Sequence, residues 1–135
     1  MTAVQARPAR RAAWGMEAVI DLYGCDLGRL RDPGMWRGFM ANLIALMGVK
    51  ACGDLRLERL GEGGQCDWWA VQRIETGSIT GRGDEAGLRC FCNVVSRCEF
   101  DPLAAATVAA AYFGGAHTLQ VLRRGASPPA AEVPR

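Results

Sequence analysis

Apolar and polar positions along this chain change period several times, and the changes predict an alternation of strands and helices. Trp14 to Tyr23 mixes apolar and polar residues and stops at Gly24, which reads as a first strand. Asp32-Pro33 is a helix start, because aspartate caps free N–H groups and proline suits the first helical position. Trp36, Phe39, Met40, Leu43 and Met47 then recur at helical spacing, and Gly48 follows as a stop. Over residues 54–60, Leu55 and Leu57 alternate with Arg56 and Glu58, which predicts a second strand. A turn at 61–64 leads to a third strand at 68–76. Residues 77–87 contain Gly77, Gly81, Gly83 and Gly87 and read as a loop or wide hairpin. Residues 88–96 predict a fourth strand. Asp101-Pro102 repeats the helix-start signal, Leu103, Ala106, Ala110 and Phe113 mark one helical face, and Gly114-Gly115 ends it. A last strand is expected at 118–122.

The order strand, helix, three strands, helix, strand predicts an α+β two-layer sandwich, with both helices on one face of a mainly antiparallel sheet. The 135 residues suit one domain, placed at 14–124. Residues 1–13 are expected to form a disordered arm. Residues 125–135, rich in proline and alanine without a period, are expected to form a disordered tail.

Half the residues are hydrophobic, 22% are charged and the net charge is +2, so charge gives no reason to expect a nucleic-acid partner. No apolar run reaches the ~18–20 residues that cross a bilayer, so no membrane partner is expected. Arg7, Arg10 and Arg11 have no apolar stretch behind them, which argues against a secretory signal. The six cysteines, 25, 52, 66, 90, 92 and 98, would allow a disulfide framework. With nothing else pointing to secretion, reduced thiols in a cytoplasmic protein are the expectation. Cys90 and Cys92 share a strand face, and Cys66 or Cys98 could complete a zinc set. The spacing is not that of a zinc knuckle, and core packing is expected instead. With His117 as the one histidine and no serine–histidine–acid pattern, hydrolase chemistry is not expected.

Several stretches together resemble the bacterial, pyruvoyl-dependent S-adenosylmethionine decarboxylases. They are Asp21-Leu22-Tyr23-Gly24-Cys25-Asp26; Val71 to Thr76 leading into Gly77-Ser78-Ile79-Thr80-Gly81-Arg82; Phe91 to Ser96 followed by Glu99-Phe100-Asp101-Pro102; and Tyr112-Phe113-Gly114. The resemblance covers about 14–124 and implies the two-layer sandwich and a dimer. It also implies self-cleavage before a serine, which becomes a pyruvoyl group that accepts electrons as the substrate amine loses carbon dioxide. The product would serve spermidine biosynthesis.

At the positions that carry this chemistry the chain departs from the family. In the gapless reading the pyruvoyl serine falls on Gly77, the processing histidine on Arg82, the proton-donor cysteine on Arg97 and the assisting serine on Trp69. Glycine has no hydroxyl to attack a carbonyl, and arginine stays protonated. A one-residue slip would place Ser78 and Cys98 at the serine and cysteine positions, with Gly77-Ser78 as the scissile bond. A slip also turns strand residues to the opposite face.

Two functions remain open. In the first, the chain is a non-processing, non-catalytic homologue that binds or regulates, as a homodimer or paired with an active paralogue, and no cofactor is expected. Trp69, Glu75, Arg82 and Arg97 are its candidate ligand-binding residues. If the two arginines converge they would suit a carboxylate or phosphate, and a tryptophan shelf would suit a cation. In the second, the chain is an active decarboxylase of S-adenosylmethionine or a related amino acid, with catalytic Ser78 and Cys98 and a pyruvoyl group from Ser78. A structure without the two-layer sandwich would set the resemblance aside.

Overall fold

A computed structural model describes residues 13–126; the expected arm at 1–13 and tail at 125–135 lie almost entirely outside them. The described elements are β1 (Gly15–Tyr23), α1 (Leu27–Leu30), α2 (Pro33–Met47), β2 (Arg56–Leu60), β3 (Asp67–Ile74), β4 (Gly77–Asp84), β5 (Arg89–Ser96), α3 (Pro102–Phe113) and β6 (Ala116–Arg124). The strands form one sheet in the order β2-β3-β4-β5-β1-β6, antiparallel throughout.

Each predicted cap does its work. The side chains of Asp32 and Asp101 accept from Gly34 N and from Leu103 and Ala104 N, and proline follows each cap. Gly48 ends α2 at φ 68°, where a side chain would be strained. Trp36, Phe39, Met40 and Leu43 of α2 and Ala105, Ala106, Ala109 and Phe113 of α3 are buried in one cluster with alternate residues of β1, β3, β4 and β5. The helices therefore lie on one face of the sheet, giving the expected two-layer α+β architecture.

Two predictions need correction. The stretch 77–87, expected as a loop or wide hairpin, is a full strand, β4, over Gly77–Asp84, with only residues 85–88 turning. Its glycines mark close approach rather than a bend. A Cβ on Gly81 would lie 2.7 Å from Trp36 Cζ3, and one on Gly83 2.9 Å from Trp36 Cζ2. The bare strand lets the indole of α2 lie flat on the sheet, where Trp36 also meets Trp68 and Phe113. The second correction is α1, a single turn capped by Asp26, which was too short to show a helical period.

At the far end of β4 the buried Glu85 closes the core. Its carboxylate accepts from Arg31 Nε at 3.1 Å, Arg59 Nε at 3.0 Å, Cys66 N at 2.9 Å and Trp68 Nε1 at 2.7 Å. Burial pushes its pKa up, but the hydrogen bonds from Arg59, Cys66 N, Trp68 and Arg31 outweigh that and hold it at about 2.

Candidate functional site

The site expected from the sequence centres on the β3–β4 hairpin. Ile74 and Gly77 face each other in register, so Glu75 and Thr76 are the two turn residues and Gly77 opens β4. Gly77 has no room for a side chain on this backbone, because a Cβ there would collide with the Val95 carbonyl oxygen. The residue at 77 thus lacks both a hydroxyl and the space for one.

Ser78 and Cys98 are not brought together. Ser78 lies half-buried within β4, in register with Arg73 and Val95, while Cys98 is exposed beyond the end of β5. No hydrogen bond joins the two among the described residues. The pair that does meet, with the same separation of 20 in sequence, is Thr76 and Ser96: Ser96 Oγ donates to Thr76 Oγ1 at 2.9 Å. Both residues are buried. Ser96 Oγ accepts the Cys98 N–H at 3.1 Å, and the Thr76 carbonyl accepts the Arg97 N–H at 2.9 Å. Sequence reading passed over this pair. The available signal was the motif pair Glu75-Thr76 and Val95-Ser96 at the family's spacing, offset by one residue from the register adopted. No imidazole or carboxylate is among the hydrogen-bond partners of the two hydroxyls within the described residues.

The exposed Glu75 is engaged elsewhere. Its carboxylate accepts from Lys50 N at 3.1 Å and its N–H donates to Lys50 O at 3.0 Å, which ties the 50–52 segment to the turn.

Arg82 and Arg97 do not converge, which corrects the expected anion clamp. Arg82 pairs in register with Phe91. From Phe91 to Ser96, the neighbour of Arg97, β5 advances five residues, about 17 Å at ~3.3 Å per residue. Arg82 instead lies over Trp69, with its guanidinium carbon 4.3 Å from the ring centroid, on the sheet face that no helix of the described residues covers. The row across this open face reads Glu58, Trp69, Arg82, Phe91, Asp21. Arg89 lies 5.7 Å from the Phe91 ring and pairs with Asp84 at 2.6 Å. Two shallow hollows flank the Trp69–Arg82 stack. One, of about 390 Å³, is lined by Arg56, Glu58, Leu60, Trp69 and Val71. The other, of about 370 Å³, is lined by Asp67, Arg82, Gly83, Asp84, Arg89 and Phe91. Each hollow carries as many arginines as carboxylates, so the stack offers a flat aromatic and guanidinium surface without a net charge.

Cys25, Cys66, Cys90 and Cys92 are buried, and Cys52 and Cys98 exposed, all as free thiols. Burial, with Cys92 nearby, raises Cys25 to about 11; a hydrogen bond with Cys92 and burial hold Cys90 well above the ordinary thiol range. These are unreactive core groups. Among the described residues no three histidine, cysteine or acidic side chains are grouped to hold a metal ion. His117 lies exposed on edge strand β6, opposite Leu22, three strands away from β4. No helix among the described residues is long and apolar enough to cross a membrane.

Comparison with solved structures places this architecture. The adenosylmethionine decarboxylase from Aquifex aeolicus VF5 matches with a TM-score of 0.72 over 87% of this chain and 95% of that one, at 13% sequence identity. At that identity the likeness is one of fold, and the fold is the α+β sandwich just described. No protein-family model and no curated protein matches the chain by sequence.

Proposed function

We propose that this chain is an adenosylmethionine decarboxylase-like protein that does not cleave itself and forms no pyruvoyl group, acting instead as a binding or regulatory homologue in the cytoplasm. The observation that carries this reading is the β3–β4 turn: Gly77 has no side-chain oxygen and no space for one, and the hydroxyl that does sit there, on Thr76, meets only the Ser96 hydroxyl among the described residues, so no base within hydrogen-bond reach draws off its proton.

In this reading the ligand-facing surface is the open sheet face around Trp69 and Arg82, and the protein works as a dimer, with itself or with an active relative. The test is the intact mass of the purified full-length chain, before and after reaction with a carbonyl-trapping hydrazine. One unlabelled species of about 14.5 kDa is expected. Two fragments parted before Thr76 or Ser78, the second taking up hydrazine, would establish the competing decarboxylase reading.

A further inference from the structure

We infer that the hollow between α2 and the 51–55 segment is a binding site for a small aliphatic carboxylate that also bears a hydroxyl group. It lies on the helix side of the sheet, apart from the Trp69–Arg82 stack, and whether the chain is processed does not bear on it.

The hollow exists because β2 stops short. β2 pairs with β3 only from Val71 back to Asp67, so the last residues of β3 have no strand of their own beside them on that edge. The 51–55 segment takes the place: Ala51 bridges to Ile74, and Cys52 N donates to Arg73 O at 2.9 Å. Between this segment and α2 a space of about 370 Å³ stays open. Met40, Ala41 and Ile44 of α2 form one wall, and Ala51 and Leu55 the other.

Two polar side chains reach this apolar space with capacity to spare. Gln72 is only 4% exposed, so its amide groups need partners. Its Nε2 donates to Gly53 O at 3.1 Å and to Arg73 O at 2.9 Å, which uses both N–H bonds and fixes the amide's orientation. No described residue donates to its Oε1. Because no enclosed side-chain oxygen lacks a partner among the described residues, this acceptor opens onto the hollow that Gln72 lines. Arg37 lines the same hollow and is the one charged residue of α2. No carboxylate of the described residues pairs with it. None lines the hollow either, in contrast to the two hollows of the open face.

These groups define the ligand. The apolar walls take an aliphatic body. The Arg37 guanidinium donates two parallel N–H bonds to a carboxylate. Gln72 Oε1 accepts one hydrogen, and a hydroxyl suits it better than an ammonium, which would lose its hydration among apolar walls. A ligand held there would bridge α2 to the segment that Lys50 and Glu75 fasten to the β3–β4 turn.

NMR titration of the full ¹⁵N-labelled chain tests this with three probes: caproate hydroxylated on its terminal carbon, plain caproate, and hexanol. Hydroxycaproate should shift the backbone amides of Ala41, Ile44, Ala51 and Leu55 and the side-chain amide of Gln72, saturating at about millimolar concentration. Caproate, without the hydroxyl, should bind severalfold more weakly, and hexanol, without the carboxylate, about tenfold more weakly. Arg37→Gln should weaken hydroxycaproate about tenfold and leave hexanol unchanged. No saturable shift at these residues would overturn the inference, as would shifts confined to the open face around Trp69. Hydroxycaproate that binds no tighter than hexanol or than caproate would overturn it as well. Should Arg37→Gln misfold, the comparison of the three probes on the unaltered chain decides.

Discussion

Ser96 Oγ donates to Thr76 Oγ1 at 2.9 Å, joining the β3–β4 turn to the end of β5 through a pair of buried hydroxyls. Because Ser96 also accepts the Cys98 N–H, the pair links the turn to the segment that leads into α3. Removing one hydroxyl leaves the other without its partner in a buried place, whereas removing both removes the need. Thr76→Val and Ser96→Ala should each lower stability by about 1 kcal/mol, and the double variant by less than the sum. Denaturant unfolding of the four proteins measures this, and strict additivity would mean the pair contributes nothing.

Glu85 should govern acid stability. Its folded-state pKa, about 2, is depressed from the ordinary 4.5, so its contribution is complete above that ordinary value and is lost as pH falls from there toward 2. Glu85→Gln removes the charge that Arg31 and Arg59 face, but leaves those two arginines partly in solvent, and should cost about 1–3 kcal/mol at pH 7. The variant should also lose much of the wild type's fall in stability below pH 4.5. Thermal melts from pH 2 to 7 check both.

Gly81→Ala should destabilise by about 1–3 kcal/mol, because the added methyl meets the rigid, fully buried Trp36 indole, itself anchored by Nε1 donating to Leu30 O at 2.8 Å. Chemical denaturation of the variant measures the cost, and a neutral result would mean α2 can shift freely over the sheet.

Arg82→Ala should alter the fluorescence of Trp69 while costing less than about 1 kcal/mol, since the stack is solvent-exposed. Arg97→Ala should leave that emission unchanged, because Arg97 lies beyond the other end of β5. Matching spectral changes in both variants would mean the two arginines share a site after all.

The frame of this fold was legible wherever a local signal coincided with a tertiary one. Asp32-Pro33 and Asp101-Pro102 announced both long helices, and the spacing of Trp36, Phe39, Met40 and Leu43 marked the face that is buried. β4 was hidden because Gly81 and Gly83 serve the Trp36 indole from another element, and that packing leaves no trace in a local window. The open-face stack of Trp69 on Arg82 was half visible, in that both residues were candidates, but their direct register pairing depends on where the hairpin turns. That turning point, Glu75-Thr76, also decided that Thr76 and Ser96 meet while Ser78 and Cys98 do not. A one-residue offset is invisible to spacing and decisive in a sheet.

Mass spectrometry of the intact, freshly purified chain tests the central claim most directly. A single full-length species that takes up no hydrazine is predicted. Two fragments divided in the Glu75–Ser78 stretch, with a reactive carbonyl on the second, would contradict it.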